Sequence, residues 1–151
     1  MSEPQTTRLP SWIADHIRLY LEDPERGHRW DSTAAGGPGV LPALLLKTTG
    51  RKSGRTQLSP LIYGTDDGRY VIVASKGGAP THPAWYLNLV SQPDCEIQVG
   101  PDHHRVHART SDGEERERLW RMMAEIYPPY DDYQDAASQR RIPVVVLEPR
   151  D

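Results

Sequence analysis

The sequence predicts a mainly β protein with peripheral helices, an α+β chain built around a small barrel. Six short segments have the apolar or alternating pattern of strands, and most are separated by residues typical of hairpin turns. The few helical segments do not alternate with the strands as a doubly wound sheet requires. At 151 residues the chain is too short for two independent cores, so one domain is expected.

The first 40 residues are predicted to form an arm outside the barrel. Residues 1–10 are polar and contain proline, which indicates a disordered lead-in. Residues 11–22 carry apolar side chains at helical spacing after a candidate N-cap, Ser11, so a short amphipathic helix is expected. Residues 23–39 have no period and predict a linker or mobile loop. Whether the arm packs on the barrel, covers a site or touches a membrane is left open.

The barrel is predicted over residues 41–151. Its expected strands are 41–48, 55–63, 69–75, 95–99, 103–110 and 142–147. Asp67-Gly68, in a turn predicted over 65–68, is a strong hairpin signal between the second and third strands. The fourth and fifth strands, which follow each other across Gly100-Pro101-Asp102, should form a half-solvated antiparallel pair.

Two further helices are predicted among and after these strands. Pro83 is placed in the first turn of one helix, and Gln92-Pro93 ends it. The other begins near Ser111 with acidic residues that suit a helix N-terminus, and Pro128-Pro129 stops it after Ile126.

Composition excludes several classes of function. The formal charge of −3, from 18 basic and 21 acidic residues, argues against a general nucleic-acid binder, which needs a net basic surface. A single cysteine, Cys95, cannot form an internal disulfide, and no signal peptide or spanning segment is evident, so a cytoplasmic location is expected. Membrane association is left open. Cys95 itself lies in an alternating strand and is expected to be a core residue.

Two basic, glycine-containing loops predict a local anion site. Gly50-Arg51-Lys52-Ser53-Gly54-Arg55 places three cations within five residues, and Ala74-Ser75-Lys76-Gly77-Gly78 ends an apolar strand. The helix beginning at Pro83 adds free N–H groups. The alternative is a solvated hairpin tip. Neither a Walker P-loop nor a dinucleotide motif at Gly36-Gly37-Pro38-Gly39 is present, which disfavours ordinary nucleotide folds.

Aromatic residues supply candidate walls for a pocket. Trp85 and Tyr86 share the Pro83 helix with Leu89, so at least one of the three should face the core. Tyr127, Tyr130 and Tyr133 recur every three residues around two prolines, which predicts an irregular or tight-turn segment with three phenols on one side. They are expected either to wall a pocket or to pack under the barrel. His103, His104 and His107 do not make a metal set, because His104 opposes the other two on a strand.

The blocks that carry a family resemblance are 48–54, 60–63, 74–78, 82–83 with 85–89, and Tyr127-Pro128 with Tyr130 and Tyr133. In the order and spacing of these blocks, over about residues 44–149, the sequence resembles the deazaflavin-dependent nitroreductases, which are F420H2-dependent oxidoreductases. The resemblance implies a split β-barrel, like the FMN-binding barrels, that binds coenzyme F420. This deazaflavin carries a phosphate and a polyglutamate tail, the kind of polyanion that the basic loops predict.

The resemblance also implies roles for individual residues. The phosphate and tail are assigned to the basic loop, with Arg51, Lys52, Ser53, Gly54 and Arg55. The deazaflavin is assigned to Ser75, Lys76, Gly77, Gly78, Pro83, Trp85, Tyr86 and Asn88. The electron acceptor is expected at Ser75, Tyr63, Tyr127, Tyr130 and Tyr133, of which Ser75, Tyr130 and Tyr133 are the expected catalytic groups.

The expected function is hydride transfer from reduced F420 to a small-molecule quinone, enone or nitro compound, with Ser75 and a tyrosine hydrogen-bonded to the acceptor oxygen. One alternative is an F420-binding or storage protein with little turnover. Another is a split barrel that uses FMN or haem, although FMN suits two basic loops less well because it has one phosphate. A monomer or homodimer is expected, without a nucleic-acid partner, and peripheral membrane contact through the arm is left open.

Overall fold

An eight-stranded antiparallel sheet that curls into a half-open barrel forms the centre of the protein. The computed structural model describes residues 10–150, so the lead-in predicted over 1–10 lies almost entirely outside the described residues. The strand order is β1-β2-β6-β7-β8-β5-β4, and β3 also pairs with β2. The strands are Arg29–Asp31 (β1), Val40–Thr49 (β2), Thr56–Ile62 (β3), Gly64–Asp66 (β4), Arg69–Val73 (β5), Asp94–Val99 (β6), Asp102–Thr110 (β7) and Val144–Pro149 (β8).

Between residues 10 and 150, five α-helices lie around this sheet. They are Ser11–Glu22 (α1), Pro24–Gly27 (α2), Ala84–Ser91 (α3), Gly113–Ile126 (α4) and Pro129–Ala136 (α5), with short 3₁₀ turns at Thr33–Ala35 and Lys76–Gly78. The mainly β prediction with peripheral helices is confirmed, and the six predicted strands agree with the observed ones to within two residues at each end. In the described part of the chain, no helix is long and apolar enough to cross a membrane.

Two apolar cores lie on opposite faces of strands β5 and β8. Ile72 and Val145 point into the first core with the indole of Trp85, whereas Val71 and Val144 point into the second core under α4 and α5. Because successive strand residues face opposite sides, a strand between two cores must be apolar throughout. This double burial explains the uninterrupted apolar runs 70–73 and 144–147.

The arm is more ordered than the sequence predicts. The linker or mobile loop predicted over residues 23–39 is wrong: this stretch contains α2, β1 and a 3₁₀ turn. β1 pairs with β2 through Arg29↔Pro42 and Asp31↔Val40. The composition of residues 23–39 alone does not indicate this pairing. The predicted helix α1 is confirmed, but its N-cap is Pro10 rather than Ser11, with no side-chain capping bond.

A fully buried tyrosine attaches the arm to the barrel. The Tyr20 hydroxyl lies 2.8 Å from the carbonyl oxygen of Ala43 and 3.0 Å from that of Gln98, and it accepts a 2.8 Å bond from the Gly100 N–H. Gly27 packs so closely on the Tyr20 ring that an added Cβ would lie 2.6 Å from it. The division into an arm at 1–40 and a barrel at 41–151 stays a prediction, but helix α1 packs firmly on the barrel.

Two predicted turns also differ in detail. The sequence predicts Thr65 and Asp66 in the turn, but both belong to β4 and pair with β5. The turn itself is Asp67-Gly68, whose φ angles are 54° and 80°. The irregular segment predicted around Tyr130 and Tyr133 is wrong, because Pro129 starts helix α5. A proline suits the first turn of a helix, since its missing N–H has no intrahelical partner there.

Candidate functional site

The connection between β2 and β3 is a tight loop with three exposed cations. The Gly50 N–H donates to the Arg55 carbonyl at 2.8 Å, and the Gly54 N–H donates to the Gly50 carbonyl at 2.8 Å. The Arg55 N–H donates to the Ser53 hydroxyl at 3.1 Å. Within residues 10–150, the side chains of Arg51, Lys52 and Arg55 make no salt bridge. The loop therefore holds positive charge that the surrounding protein leaves uncompensated.

Asn88 joins this loop to helix α3. Its Oδ1 accepts from the Arg51 N–H at 3.1 Å, and its Nδ2 donates to Thr48 Oγ1 at 3.1 Å and Gln57 Oε1 at 2.8 Å. The side chain is only 3% exposed. Asn88 was assigned to the deazaflavin, but three protein contacts occupy most of its hydrogen-bonding capacity. In this structure it positions the start of the basic loop.

The second loop, residues 75–78, has an unusual backbone. Lys76, Gly77 and Gly78 have φ of 49°, 62° and 85°, and a positive φ is uncommon for a lysine. A Cβ on Gly78 would lie 2.9 Å from the Tyr133 carbonyl oxygen, so this glycine allows the loop to contact helix α5. The Ser75 side chain is half-buried, and its hydroxyl has no hydrogen-bond partner among the described residues.

Arg140, which the sequence analysis does not identify, binds the backbone of the second loop. Its guanidinium donates to the carbonyl oxygens of Ala79 (2.9 Å), Ala74 (3.1 Å) and Ser75 (2.8 Å). The same group lies 3.1 Å from His82 Nδ1. No local motif marks an arginine that reaches 58 to 66 residues back along the chain.

Helix α3 starts beside the same loop. Pro83 is buried and occupies the N-cap rather than the first turn. Trp85 is 8% exposed and packs in the first core, whereas Tyr86 is half-buried, with its hydroxyl 2.9 Å from Thr110 Oγ1 and its ring centroid 5.0 Å from that of His82. Of the two aromatics assigned to the deazaflavin, Tyr86 is the more accessible.

The three spaced tyrosines come together as predicted, in the second core. The hydroxyls of Tyr127 and Tyr133 lie 2.8 Å apart, and Tyr127 also donates to the Ala35 carbonyl of the arm at 3.3 Å. Burial raises the pKa of Tyr127, and the Tyr133 hydroxyl adds to the shift. Tyr130 is 4% exposed, and burial raises its pKa strongly. Tyr133 is half-buried and is thus the most accessible of the three.

Tyr63 is not part of this group. It lies in the first core, where its hydroxyl is 2.6 Å from Nε2 of His28 in the arm and its ring centroid is 5.7 Å from that of Tyr70. Burial raises the pKa of Tyr63, with the Tyr70 hydroxyl adding to the shift. Burial lowers the pKa of His28, and Arg29 lowers it further. The structure thus assigns Tyr63 to a different core from Tyr127 and Tyr130.

The loops fit an elongated anionic ligand. At one end lie Arg51, Lys52 and Arg55, which form no salt bridge with any residue from 10 to 150, and Lys76 is exposed on the second loop. In the part of the chain that the structure describes, a Cβ added at Gly54 or Gly77 would meet no atom within 4 Å, so the backbone of both loops is open to close approach. Helix α3 and its Asn88 link the two regions. Fold and site together define a half-open β-barrel protein suited to an anionic cofactor.

Comparison with known proteins identifies the family to which this half-open β-barrel protein belongs. The sequence profile of the F420H(2)-dependent quinone reductases matches residues 25–149. The chain is 45% identical over 116 residues to the F420H(2)-dependent quinone reductase Rv1261c of Mycobacterium tuberculosis strain H37Rv, with 75% of this chain and 77% of that protein covered. The chain belongs to the F420H(2)-dependent quinone reductase family.

Solved structures agree with this assignment. One, described as an F420-H2-dependent reductase (FDR-A), is 44% identical, superposes with a TM-score of 0.65 and covers 71% of this chain and 94% of its own. Another, described as a domain-swapped dimer, is 37% identical, with a TM-score of 0.68 over 91% of this chain and 98% of its own. The predicted family, split barrel, enzyme class and F420 cofactor are confirmed. The roles of individual residues stay predictions.

Proposed function

We propose that this protein binds reduced F420 across the two glycine loops and uses it to reduce a quinone, with enones and nitro compounds as further acceptors. The observation that carries the proposal is the set of uncompensated cations on the β2–β3 loop, linked by Asn88 to the helix that follows the second glycine loop. A ligand with a phosphate and several carboxylates would neutralise these cations through charge-assisted hydrogen bonds.

The bound cofactor would supply hydride chemistry, and the protein would orient the two reactants. Gly77 and Gly78 would let the ring system approach the backbone, and Tyr86 would border it. The half-buried Ser75 hydroxyl, without a partner among residues 10–150, is free to donate to an acceptor oxygen as that oxygen gains negative charge.

Tyr133 is the better-placed of the two proposed catalytic tyrosines. Its hydroxyl adjoins that of Tyr127 and is more accessible, so Tyr133 would be the one to donate a proton to the acceptor. Burial raises the pKa of Tyr127, so the phenol of Tyr127 stays protonated at neutral pH. Tyr130 would support this pair from inside the core, where its ring centroid lies 4.9 Å from that of Tyr127.

Binding and turnover test the proposal separately. Titration of the purified protein with F420 and with FMN should show tighter binding of F420, and stopped-flow mixing of the F420H2 complex with menadione should show oxidation of F420H2. Tight F420 binding without oxidation by any quinone would favour a storage role, and preference for FMN would contradict the cofactor assignment.

Lys52→Ala and Arg55→Ala test the basic loop. Each should weaken F420 binding by about fivefold or more and reduce its salt dependence, since a partly exposed charge-assisted contact contributes on the order of 1 kcal/mol. Arg121→Ala is the matched control, because Arg121 is an exposed cation on α4. Unchanged affinity in both loop variants at low salt would contradict the tail assignment.

The assembly and location of the protein are part of the same proposal. A homodimer is supported by the domain-swapped dimer among its structural neighbours, and light scattering would test it. Peripheral membrane contact through the arm is a separate proposal, with the exposed Trp12 of α1 as the candidate contact; Leu21, nine residues later, lies on the opposite side of the helix. Sedimentation with anionic lipid vesicles, compared between the native protein and Trp12→Ala, would test it.

A further inference from the structure

Arg140 has an unusual environment for a cation. It lies four residues after the end of α5, half-buried, and its guanidinium makes four hydrogen bonds, all to residues 74–82. No carboxylate within residues 10–150 pairs with it. Burial lowers its pKa, which means that the surroundings disfavour the charge. The three carbonyl oxygens and the imidazole are what offset this desolvation.

The segment that carries Arg140 is itself held in place. The Gln134 side chain donates to the Arg140 carbonyl at 2.9 Å and accepts from the Ile142 N–H at 2.9 Å, so it spans the turn between α5 and β8. The guanidinium is therefore presented by a turn that is hydrogen-bonded at both ends. Its planar fork can satisfy several carbonyls at once, which a lysine ammonium on a flexible chain does less well.

The contact with His82 also determines a tautomer. A guanidinium nitrogen only donates, so His82 Nδ1 must accept, and the proton of the neutral ring lies on Nε2. Burial lowers the pKa of His82, with the Arg140 charge lowering it further, so the ring is neutral at physiological pH. Within the described part of the chain, Nε2 has no hydrogen-bond partner.

We propose that Arg140 is a positioning residue for the second glycine loop: it holds the backbone of residues 74–79 in the conformation with positive φ at 76–78, and it fixes His82 with an Nε2–H donor available to the bound ligand. This inference rests on the proposed function, since the ligand in question is F420. It goes further by assigning a role to a side chain outside both glycine loops.

The test compares Arg140→Met and Arg140→Lys with Arg141→Met. Arg141 is the matched control, because it is the adjacent cation but is exposed and pairs with Glu117 at 2.9 Å. The first measurement uses ¹⁵N-histidine NMR on cofactor-free protein. The native protein and the control should show one His82 tautomer with the proton on Nε2, whereas Arg140→Met should show a mixture. An unchanged single tautomer in Arg140→Met would overturn the proposal.

The second measurement is F420 affinity from fluorescence titration of folded protein, checked by circular dichroism. Arg140→Met should bind about tenfold more weakly, a loss of about 1.4 kcal/mol, with Arg140→Lys between it and the native protein. The control should stay within about twofold. If Arg140→Met does not fold, Arg140→Lys carries the test, and native affinity with native His82 signals in it would overturn the proposal.

These measurements separate the two proposals. Failure of the native protein to bind F420 would contradict the proposed function, while the NMR result would still report on the loop. Native F420 binding together with native affinity in the folded Arg140 variants would contradict only the role of Arg140. A purely structural arginine would lower stability without changing the affinity of the folded protein.

Discussion

Replacement of Asn88 by alanine tests how the two halves of the site are connected. The substitution removes three hydrogen bonds, to the Arg51 N–H, Thr48 Oγ1 and Gln57 Oε1. It leaves the backbone of α3 unchanged, because alanine is a good helix former. Helix α3 would then contact the basic loop without a polar connection.

The magnitude follows from the surroundings of each partner. A net hydrogen bond contributes about 1 kcal/mol, and a buried group left unpaired loses more. Thr48 is 3% exposed, so its hydroxyl is not readily hydrated, whereas the amide of exposed Arg51 is. We therefore expect a loss of about 2 kcal/mol in the free energy of unfolding, or a fall in Tm of about 4–8 °C for a chain of this size. Affinity for F420 should fall about three- to tenfold, because the basic loop must then be ordered by the ligand.

Thermal unfolding and F420 fluorescence titration measure the two effects, and Ser91→Ala is the control. Ser91 ends the same helix but is exposed, so its replacement should change stability by less than about 0.5 kcal/mol. Native stability in Asn88→Ala would show that the three bonds contribute nothing. A loss of stability with native F420 affinity would show that Asn88 does not position the loop.

The other predictions concern the arm and the chemistry. Tyr20→Phe should destabilise by about 2–3 kcal/mol in urea unfolding, since it leaves the buried Gly100 N–H unpaired; no change would mean that the arm is not anchored there. Burial raises the pKa of Tyr20 to about 12. The unfolded chain therefore ionises first, so native stability should be retained below about pH 10 and fall between about pH 10 and 12, and Tyr20→Phe should show a smaller fall. We expect F420H2 oxidation by menadione to be about tenfold slower in Ser75→Ala and in Tyr133→Phe, with nearly native F420 affinity. The effect of Tyr130→Phe should be smaller, because Tyr130 lies deep in the core. Native rates in Ser75→Ala and Tyr133→Phe would remove the catalytic roles of these two residues.

Several features of this protein follow from local sequence alone. Asp67-Gly68 predicts its hairpin because both residues need a positive φ, which these two types tolerate. The alternation of 95–99 and the apolar run of 144–147 predict strands, since strand periodicity is a property of neighbouring residues. The cations at Arg51, Lys52 and Arg55 are likewise recognisable from their spacing and flanking glycines.

Only the tertiary structure decided what these elements contact. β1 was read as a loop because its three residues become a strand only by pairing with β2. Asn88 and Tyr130 have side chains suited to a ligand, yet one is occupied by protein contacts and the other is buried. Arg140 showed no signal, since its partners lie 58 to 66 residues away. Local patterns depend on the preference of each backbone segment, whereas burial and long-range hydrogen bonds depend on which strands and helices the folded chain brings together.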